Sequence, residues 1–335
     1  VNKIKLVDVA HAAGVSKSTV SQFLNGRFNY MSEDTKARIE QAISQLNYVP
    51  NSIARSLKTD KTRIIGVIVR DIAGSYTSRA IRGMDDYCKK NGYNLIIYNT
   101  DFDAASEATA LTSLTQLRVD GIIIVPSGMN SLLVAEIVEK GCPVVQFQLE
   151  RDDDANNIIL SDYKQGAYDA TEYLIRLGHR RICFLTQEFS KVKSRKERFQ
   201  GYVAALNAHG LELDSSLIQY WHRHRGFDNA PAELLAADNP PTAMFTQHLA
   251  ITSQLLTELN QANICIPDDV SVLGFDELPM ADLLKVPITV VKQKPYEIGN
   301  ESAKLLIHQL ENPGSANQRI MVPCTLVERD SCKHI

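Results

Sequence analysis

Residues 6–24 constrain this chain more than any other stretch. Leu6 to Ala13 spaces its apolar residues for a short helix, Gly14-Val15-Ser16 reads as a tight turn, and Lys17 to Leu24 reads as a second helix. Val9, Ala13, Val15, Val20 and Leu24 can close a small core between the two, and the Ser16 hydroxyl can cap the second helix. Such a helix–turn–helix places the start of its second helix in a DNA major groove. The polar residues at that start are Lys17, Ser18, Thr19, Ser21 and Gln22, the donors and acceptors that reading base edges requires.

A third helix should begin near Ser32, with Glu33 and Asp34 favourable in its first turn. Ile39, Ala42, Ile43 and Leu46 recur at helical spacing and should pack on the first two helices, and Pro50 stops the run. Asn51 or Ser52 can cap a short segment, Ser52–Leu57, before the polar linker Lys58-Thr59-Asp60-Lys61-Thr62. Charge agrees with this division. Residues 1–63 carry ten Lys and Arg against five Asp and Glu, whereas the remainder carries 26 against 34. A basic head on an acidic body fits a local nucleic-acid contact, which the overall net charge of −3 conceals.

After Arg63 the pattern changes to apolar runs of strand length: Ile64–Val69, Leu95–Tyr98, Gly121–Val125, Pro143–Phe147, Ile182–Leu185, Ala243–Phe245 and Val270–Gly274. Helical segments separate them, among them Tyr76–Asn91, Ser106–Arg118, Ser131–Lys140, Gly166–Leu177 and Arg198–His209. Strands apolar on both faces, alternating with helices, imply parallel sheets covered by helices. The span Ile64–Ile335 is large for one sheet, so two such subdomains are expected. Ligands of open α/β sheets sit at the carboxyl ends of the strands, and two facing subdomains would gather those ends around a cleft.

Candidate ligand residues follow from that rule. They are Asp71, Ser75, Tyr76 and Thr77 after the first strand, Asn99 and Asp101 after the second, and Gln148 after Phe147. Ser194, Arg195 and Arg198 are expected in a loop entering a helix, His248 follows Phe245, Asp276 follows Phe275, and Trp221 is the only tryptophan. Arg, Asp and amide groups read adjacent hydroxyls in pairs, and an aromatic face covers the apolar side of a sugar ring. Each also has a structural alternative: Asp276 can cap a helix, Asp71 can stabilise a turn, and Trp221 can be core.

Other chemistries find no support. The six cysteines are scattered without a Cys-x-x-Cys pair and read as reduced thiols of a cytoplasmic protein. No secretory signal is expected before the helix–turn–helix, and no apolar run of the sequence is long enough to span a membrane. His222-Arg223-His224 lacks a carboxylate or Cys partner at a metal-site spacing, and Asp152-Asp153-Asp154 lacks the glycine and distal Glu of a calcium loop. With no nucleophile elbow, P-loop or dinucleotide fingerprint, no catalytic centre, metal or cofactor is expected.

Several motifs together resemble one family. In the head these are Asp8-Val9-Ala10, Ala13-Gly14-Val15-Ser16, Thr19-Val20-Ser21, Leu24-Asn25, Leu46-Asn47-Tyr48-x-Pro50-Asn51 and Ala54-Arg55-x-Leu57. In the body they are Gly66–Val69, Val119–Ile123, Leu177–Ile182, Arg198-Phe199-x-Gly201-Tyr202, Ile266-Pro267-x-Asp269 through Asp276, and Leu326-Val327-x-Arg329. They resemble the lactose/galactose-repressor family of bacterial transcriptional regulators over nearly the whole chain.

The resemblance implies an all-α helix–turn–helix headpiece at 1–50, a hinge helix and linker at 51–63, and a periplasmic-binding-protein-like α/β core at 64–335. Subdomain 1 would take about 64–161 and 293–323, and subdomain 2 about 162–291 and 324–335. The crossings would fall near Ser161–Tyr163, Val291–Gln293 and Pro323–Thr325, which adds Gln293 to the effector candidates. It further implies DNA contacts from Lys5, Leu6, Ser16, Asn25, Tyr48, Asn51, Ala54 and Leu57, besides the recognition-helix residues.

The partners implied are double-stranded operator DNA, a second copy in a homodimer, and a sugar or sugar-acid effector, with no membrane. The expected function is a repressor of carbohydrate or sugar-acid catabolic genes. The rival reading, a sugar-binding receptor without DNA function, would lack the headpiece. Many members of that family carry Asp-Arg where this chain has Gln148-Leu149, and Asn-Asp where it has His248-Leu249. Those departures remove hydroxyl acceptors and leave Arg195, Arg198 and His248 as donors, which tilts the expectation towards an acidic ligand.

Overall fold

The computed structural model describes residues 4–29, 31–48, 61–149, 157–189 and 192–335, and they fall into two compact units divided between Thr62 and Arg63. The first unit holds α1 (Leu6–Ala13), α2 (Lys17–Leu24) and α3 (Glu33–Gln45). The Asp8 carboxylate accepts from the Lys5 N–H (2.7 Å), fixing the start of α1. Gly14 closes α1 in the left-handed region, φ 62°, where a residue without Cβ is unstrained. Ser16 and Ser32 cap α2 and α3 by accepting from the N–H groups of Thr19 and Thr35. Val9, Ala10, Ala13, Val20, Ile39 and Ala42 form the buried centre, with Leu6, Val15, Leu24 and Tyr48 packed around it. The hinge positions Asn51, Ala54 and Leu57 lie outside the described residues.

The second unit contains two sheets. The first is formed by β1 (Ile64–Val69), β2 (Asn94–Asn99), β3 (Gly121–Ile124), β4 (Val144–Phe147), β5 (Asn157–Ser161) and β12 (Arg319–Val322). Its order is β12-β5-β4-β3-β1-β2, and every pairing is parallel. The second comprises β6 (Ile182–Thr186), β7 (Ile218–His222), β8 (Gly226–Phe227), β9 (Ala243–Thr246), β10 (Ser271–Phe275), β11 (Thr289–Lys292) and β13 (Thr325–Val327). Its order is β13-β11-β10-β9-β6-β7-β8, with antiparallel strands only at its two edges.

Strands β3, β4, β6, β9 and β10 are buried along their whole length, which is why they read as unbroken apolar runs. Helices α4 (Ser75–Lys90), α5 (Ala104–Gln116), α6 (Ser131–Glu139) and α11 (Pro295–Glu311) belong with the first sheet. Helices α7 (Tyr163–Arg176), α8 (Lys193–Ala208), α9 (Pro231–Leu235) and α10 (Leu249–Gln261) belong with the second. The chain passes between the sheets three times: from β5 into α7, from β11 into α11, and from β12 into β13.

Helix α8 corrects one expectation. It begins at Lys193, not Arg198, so Ser194, Arg195 and Arg198 sit on its first turns rather than in an entering loop. The apolar repeat starts only at Phe199 because the preceding turns bury Ser194 and Arg198 instead of hydrocarbon.

Candidate functional site

In the headpiece, Lys17, Ser18, Gln22 and Asn25 are exposed, and Thr19 and Ser21 are half-buried. Residues 17, 18, 21, 22 and 25 share one face of α2, opposite the buried Val20. Parts of this face are already committed. The Ser16 hydroxyl caps α2 and lies 2.8 Å from that of Thr19, and the Asn25 amide donates to the Ser21 carbonyl (2.6 Å). Lys5 is exposed, whereas Leu6 and Tyr48 pack against the headpiece core.

In the second unit, the segments that follow the strands of both sheets bring a polar cluster together. Arg198 is its centre. Its guanidinium lies 4.3 Å from the ring centroids of both Tyr163 and Phe275, and only 7% of the residue is exposed. The two rings supply cation–π attraction. Its Nε is buried without a hydrogen-bond partner, and no carboxylate pairs with it among the described residues.

Asp276 ends β10 with a left-handed backbone, φ 82°, and its own N–H donates to the Val291 carbonyl. Gln293, at the second crossing, donates from Nε2 to Asp276 Oδ1 (2.5 Å), and its Oε1 accepts from the Ser161 hydroxyl at the first crossing (2.5 Å). Tyr163 donates to the Gln148 carbonyl (2.9 Å), tying the end of β4 to the start of α7. Tyr76, at the start of α4, has a buried hydroxyl that lies beside the Ser161 hydroxyl. Burial, with Tyr163, Asp276 and Cys324 nearby, pushes its phenol well above the usual range. Burial likewise pushes the Cys324 thiol, at the third crossing, up to about 12, so it stays protonated at neutral pH.

His248 caps α10: its Nδ1 accepts from the Ala250 N–H (3.0 Å), which leaves the proton on Nε2 to be donated to Gln187 Oε1 (3.1 Å). Burial, despite the nearby Asp276 carboxylate, lowers its pKa to about 4, so the ring is neutral at pH 7. Arg195 donates to the same Gln187 Oε1 (2.8 Å) and to the Glu188 carbonyl (2.8 Å). Its pKa is lowered by burial and by the guanidiniums of Arg198 and Arg70. Trp221 stands edge-on to the His248 ring at 6.0 Å, but it is 95% buried among Met244, Leu255 and Val290, with its indole N–H unpartnered. It is therefore largely packed in the core, and it also lines a cavity with Arg223, His224 and Glu258.

Two strand-end candidates act on the backbone instead. Asp71 is exposed and accepts from the Ala73 N–H (3.0 Å). Asn99 accepts from the Ile72 N–H (2.9 Å) and donates to Asp101 (2.6 Å), bracing the turn after β1. The sequence reading passed over Gln187, Gln247, Tyr163 and Phe275. Gln187 and Gln247 directly follow β6 and β9, and Gln247 bridges Thr186 (2.9 Å) to the Arg195 carbonyl (3.2 Å). The strand-end rule would have found both glutamines. The stacking role of Tyr163 and Phe275 depends on the position of Arg198 and leaves no local signal.

No described helix is long and apolar enough to cross a membrane. Comparison with known proteins agrees with both units. Residues 5–51 match the family model "Bacterial regulatory proteins, lacI family", and residues 171–332 match "Periplasmic binding protein-like domain". The chain is 37% identical over 306 residues to "Probable HTH-type transcriptional regulator EndR" of Paenibacillus polymyxa, covering 91% of this chain and 90% of that one. It is 33% identical to the ribose operon repressor of Escherichia coli K12, covering 97% and 98% of the two chains. The crystal structure of the lac repressor dimer bound to operator and the anti-inducer ONPF shares the fold. Its TM-score is 0.84 at 23% identity, covering 99% of this chain and 100% of that one. The chain belongs to the lacI family of bacterial regulatory proteins.

Proposed function

We propose that this regulator is a homodimeric repressor of carbohydrate-related genes, whose operator affinity is set by a small polyhydroxylated effector bound between the two sheets of the core. Residues 17, 18, 21 and 22 read the operator from the exposed face of α2. Two copies match a two-fold operator, because a single half-site gives little specificity. The reading treats the protein as a regulator and not an enzyme, and places it in the cytoplasm with its operator.

One observation carries the effector reading. Arg198 Nε is buried and unpartnered, and it and the buried Tyr76 hydroxyl stand near the Asp276 carboxylate, although they come from helices beside different sheets. Unpaired buried polar groups are costly, and a ligand carrying several hydroxyls or carboxylate oxygens satisfies them. Such a ligand would join the two halves of the core, so it binds one arrangement of them more tightly than another, as allostery requires. The lacI-family regulator of Enterococcus faecium was crystallised with bound ribose, which supports a sugar-like ligand class.

The test is a thermal-shift screen of the full chain against neutral sugars and sugar acids. A ligand that binds only the native state raises the melting temperature. The reading expects at least one saturable shift that Asp276→Ala removes. A shift that survives Asp276→Ala unchanged would place the site elsewhere.

A further inference from the structure

We infer that Asp120 is a positioning residue for operator binding. Its carboxylate locks the backbone of Arg63, the first residue of the core, and so fixes the direction in which the chain leaves the core for the linker. The inference deepens the proposed function and rests on its reading of the chain as a dimeric operator binder.

Arg63 has a strained backbone. Its φ is 58°, in the left-handed region where the Cβ of an L-residue crowds the following carbonyl oxygen. Glycine takes that conformation freely, and asparagine or aspartate takes it with the help of local hydrogen bonds; arginine has neither advantage. Such a residue persists where its surroundings over-determine it. Here they hold it from three directions. The Arg63 carbonyl accepts from the Asn94 N–H at the start of β2 (2.9 Å). The Arg63 N–H lies outside the β1 ladder, which begins at Ile64, and donates to Asp120 Oδ2 (3.0 Å). The Arg63 guanidinium stands 4.9 Å from the ring centroid of Tyr93, itself buried in the core with Ile65 and Met84. Asp120 is fixed in turn, because its own N–H donates to the Ile64 carbonyl (2.8 Å).

Strand β1 does not need the side-chain bond. It is already paired with β2 from Ile64 to Val69 and with β3 from Ile65 to Ile68. What the conformation of Arg63 decides is the course of the chain that precedes it. With that residue locked, the chain leaves the core at one angle; with it free, the chain sweeps a cone. Two tethered headpieces bind a two-fold operator partly as an intramolecular event, and the effective concentration of the second falls as the tethers gain freedom. The anchor also joins the root of the linker to the beginnings of β1, β2 and β3, so a movement of the first sheet is a movement of that root.

The test measures operator binding of the full chain by fluorescence anisotropy, on a labelled duplex that the parent protein selects from a random pool. Asp120→Ala should weaken binding about three- to tenfold, the worth of about one net hydrogen bond. Asp120→Asn, whose amide oxygen still accepts from the Arg63 N–H, should restore most of the affinity. The slope of log affinity against log salt should stay the same, because no phosphate contact is lost. Light scattering should give the same mass for parent and variants. A lower melting temperature with unchanged operator affinity would make the bond merely structural and overturn the inference. A shallower salt slope, or dissociation of the variant, would overturn it too. If Asp120→Ala does not fold, Arg63→Gly decides: glycine accepts the left-handed backbone but frees the root and drops the ring contact. That variant should weaken binding by a similar factor, and parental affinity would overturn the inference while leaving the operator reading standing. If the parent enriches no duplex at all, the operator reading itself fails, and this inference with it.

Discussion

Gln293 donates to Asp276 Oδ1 at 2.5 Å, across 17 residues of chain, while its other amide atom accepts from Ser161. Two of the three crossings between the sheets are thereby tied to the end of β10. Asp276 and Gln293 are one unit, not the two independent ligand contacts that strand-end reasoning suggests.

This unit should show itself as non-additivity. Asp276→Asn and Gln293→Ala should each weaken effector binding. A double-mutant cycle by calorimetry should give a coupling of about 1–2 kcal/mol, typical of residues sharing one hydrogen-bond network. Additive effects would mean that the two side chains contact ligand separately.

His248 predicts a pH dependence. Its folded pKa of about 4 is depressed below the value of about 6.5 expected of the unfolded chain. The unfolded state therefore binds more protons between those values, and stability is lost as pH falls from about 6.5 towards 4. The full effect is about 3 kcal/mol, from about 1.4 kcal/mol per pKa unit. His179, buried between Thr242 and the Lys333 carbonyl, has a lowered pKa too, so it adds loss of the same sign. Urea unfolding at pH 7 and pH 5 should show the loss, and His248→Gln should make the difference between the two pH values smaller. An unchanged difference would remove His248 from the account.

Helices α4 and α11 meet at glycines. A Cβ built on Gly299 would stand 1.9 Å from the Ala80 carbonyl oxygen, and one on Gly83 would stand 2.1 Å from that of Tyr296. Both clashes are with backbone, so no side chain can move aside. Gly299→Ala should destabilise the core by about 1–3 kcal/mol through overpacking, despite the better helix propensity of alanine. Because α4 starts beside Tyr76 and α11 follows Gln293, the same variant should also weaken effector binding. Chemical denaturation and calorimetry measure the two effects.

Gln22 is exposed on the face of α2 that carries Lys17, Ser18 and Asn25. A glutamine amide pairs with the N6 and N7 edge of adenine, and one such bidentate pair discriminates by about 1–3 kcal/mol. Gln22→Ala should relax specificity at one base pair of each half-site. Fluorescence anisotropy on duplexes varied one pair at a time tests this, and equal weakening on every duplex would rule out direct readout by Gln22.

Legibility in the sequence followed the range of the interactions. The headpiece was readable because Ser16, Gly14 and Val20 act within a few residues of themselves. Strands β1, β3, β4, β6, β9 and β10 were readable because burial on both faces makes them continuously apolar, whereas the interior strands β5, β7 and β11 were not, since Asn157, Ser161, Gln219 and Thr289 interrupt them. The edge strands β8, β12 and β13 were not read as apolar runs, since they are short and partly exposed. The contact of Arg198 with two rings joins residues from α7, α8 and β10, the rings themselves more than a hundred positions apart, and only the folded chain reveals it.

The central claim is that one ligand between the sheets and one DNA site on the headpiece are thermodynamically coupled. A duplex selected by this protein from a random pool, titrated by anisotropy with and without a ligand found in the thermal-shift screen, measures that coupling directly. The account predicts a change in operator affinity of about 5- to 150-fold at saturating ligand, with the reciprocal change in ligand affinity on saturating duplex. Equal operator affinity with and without saturating ligand would contradict it.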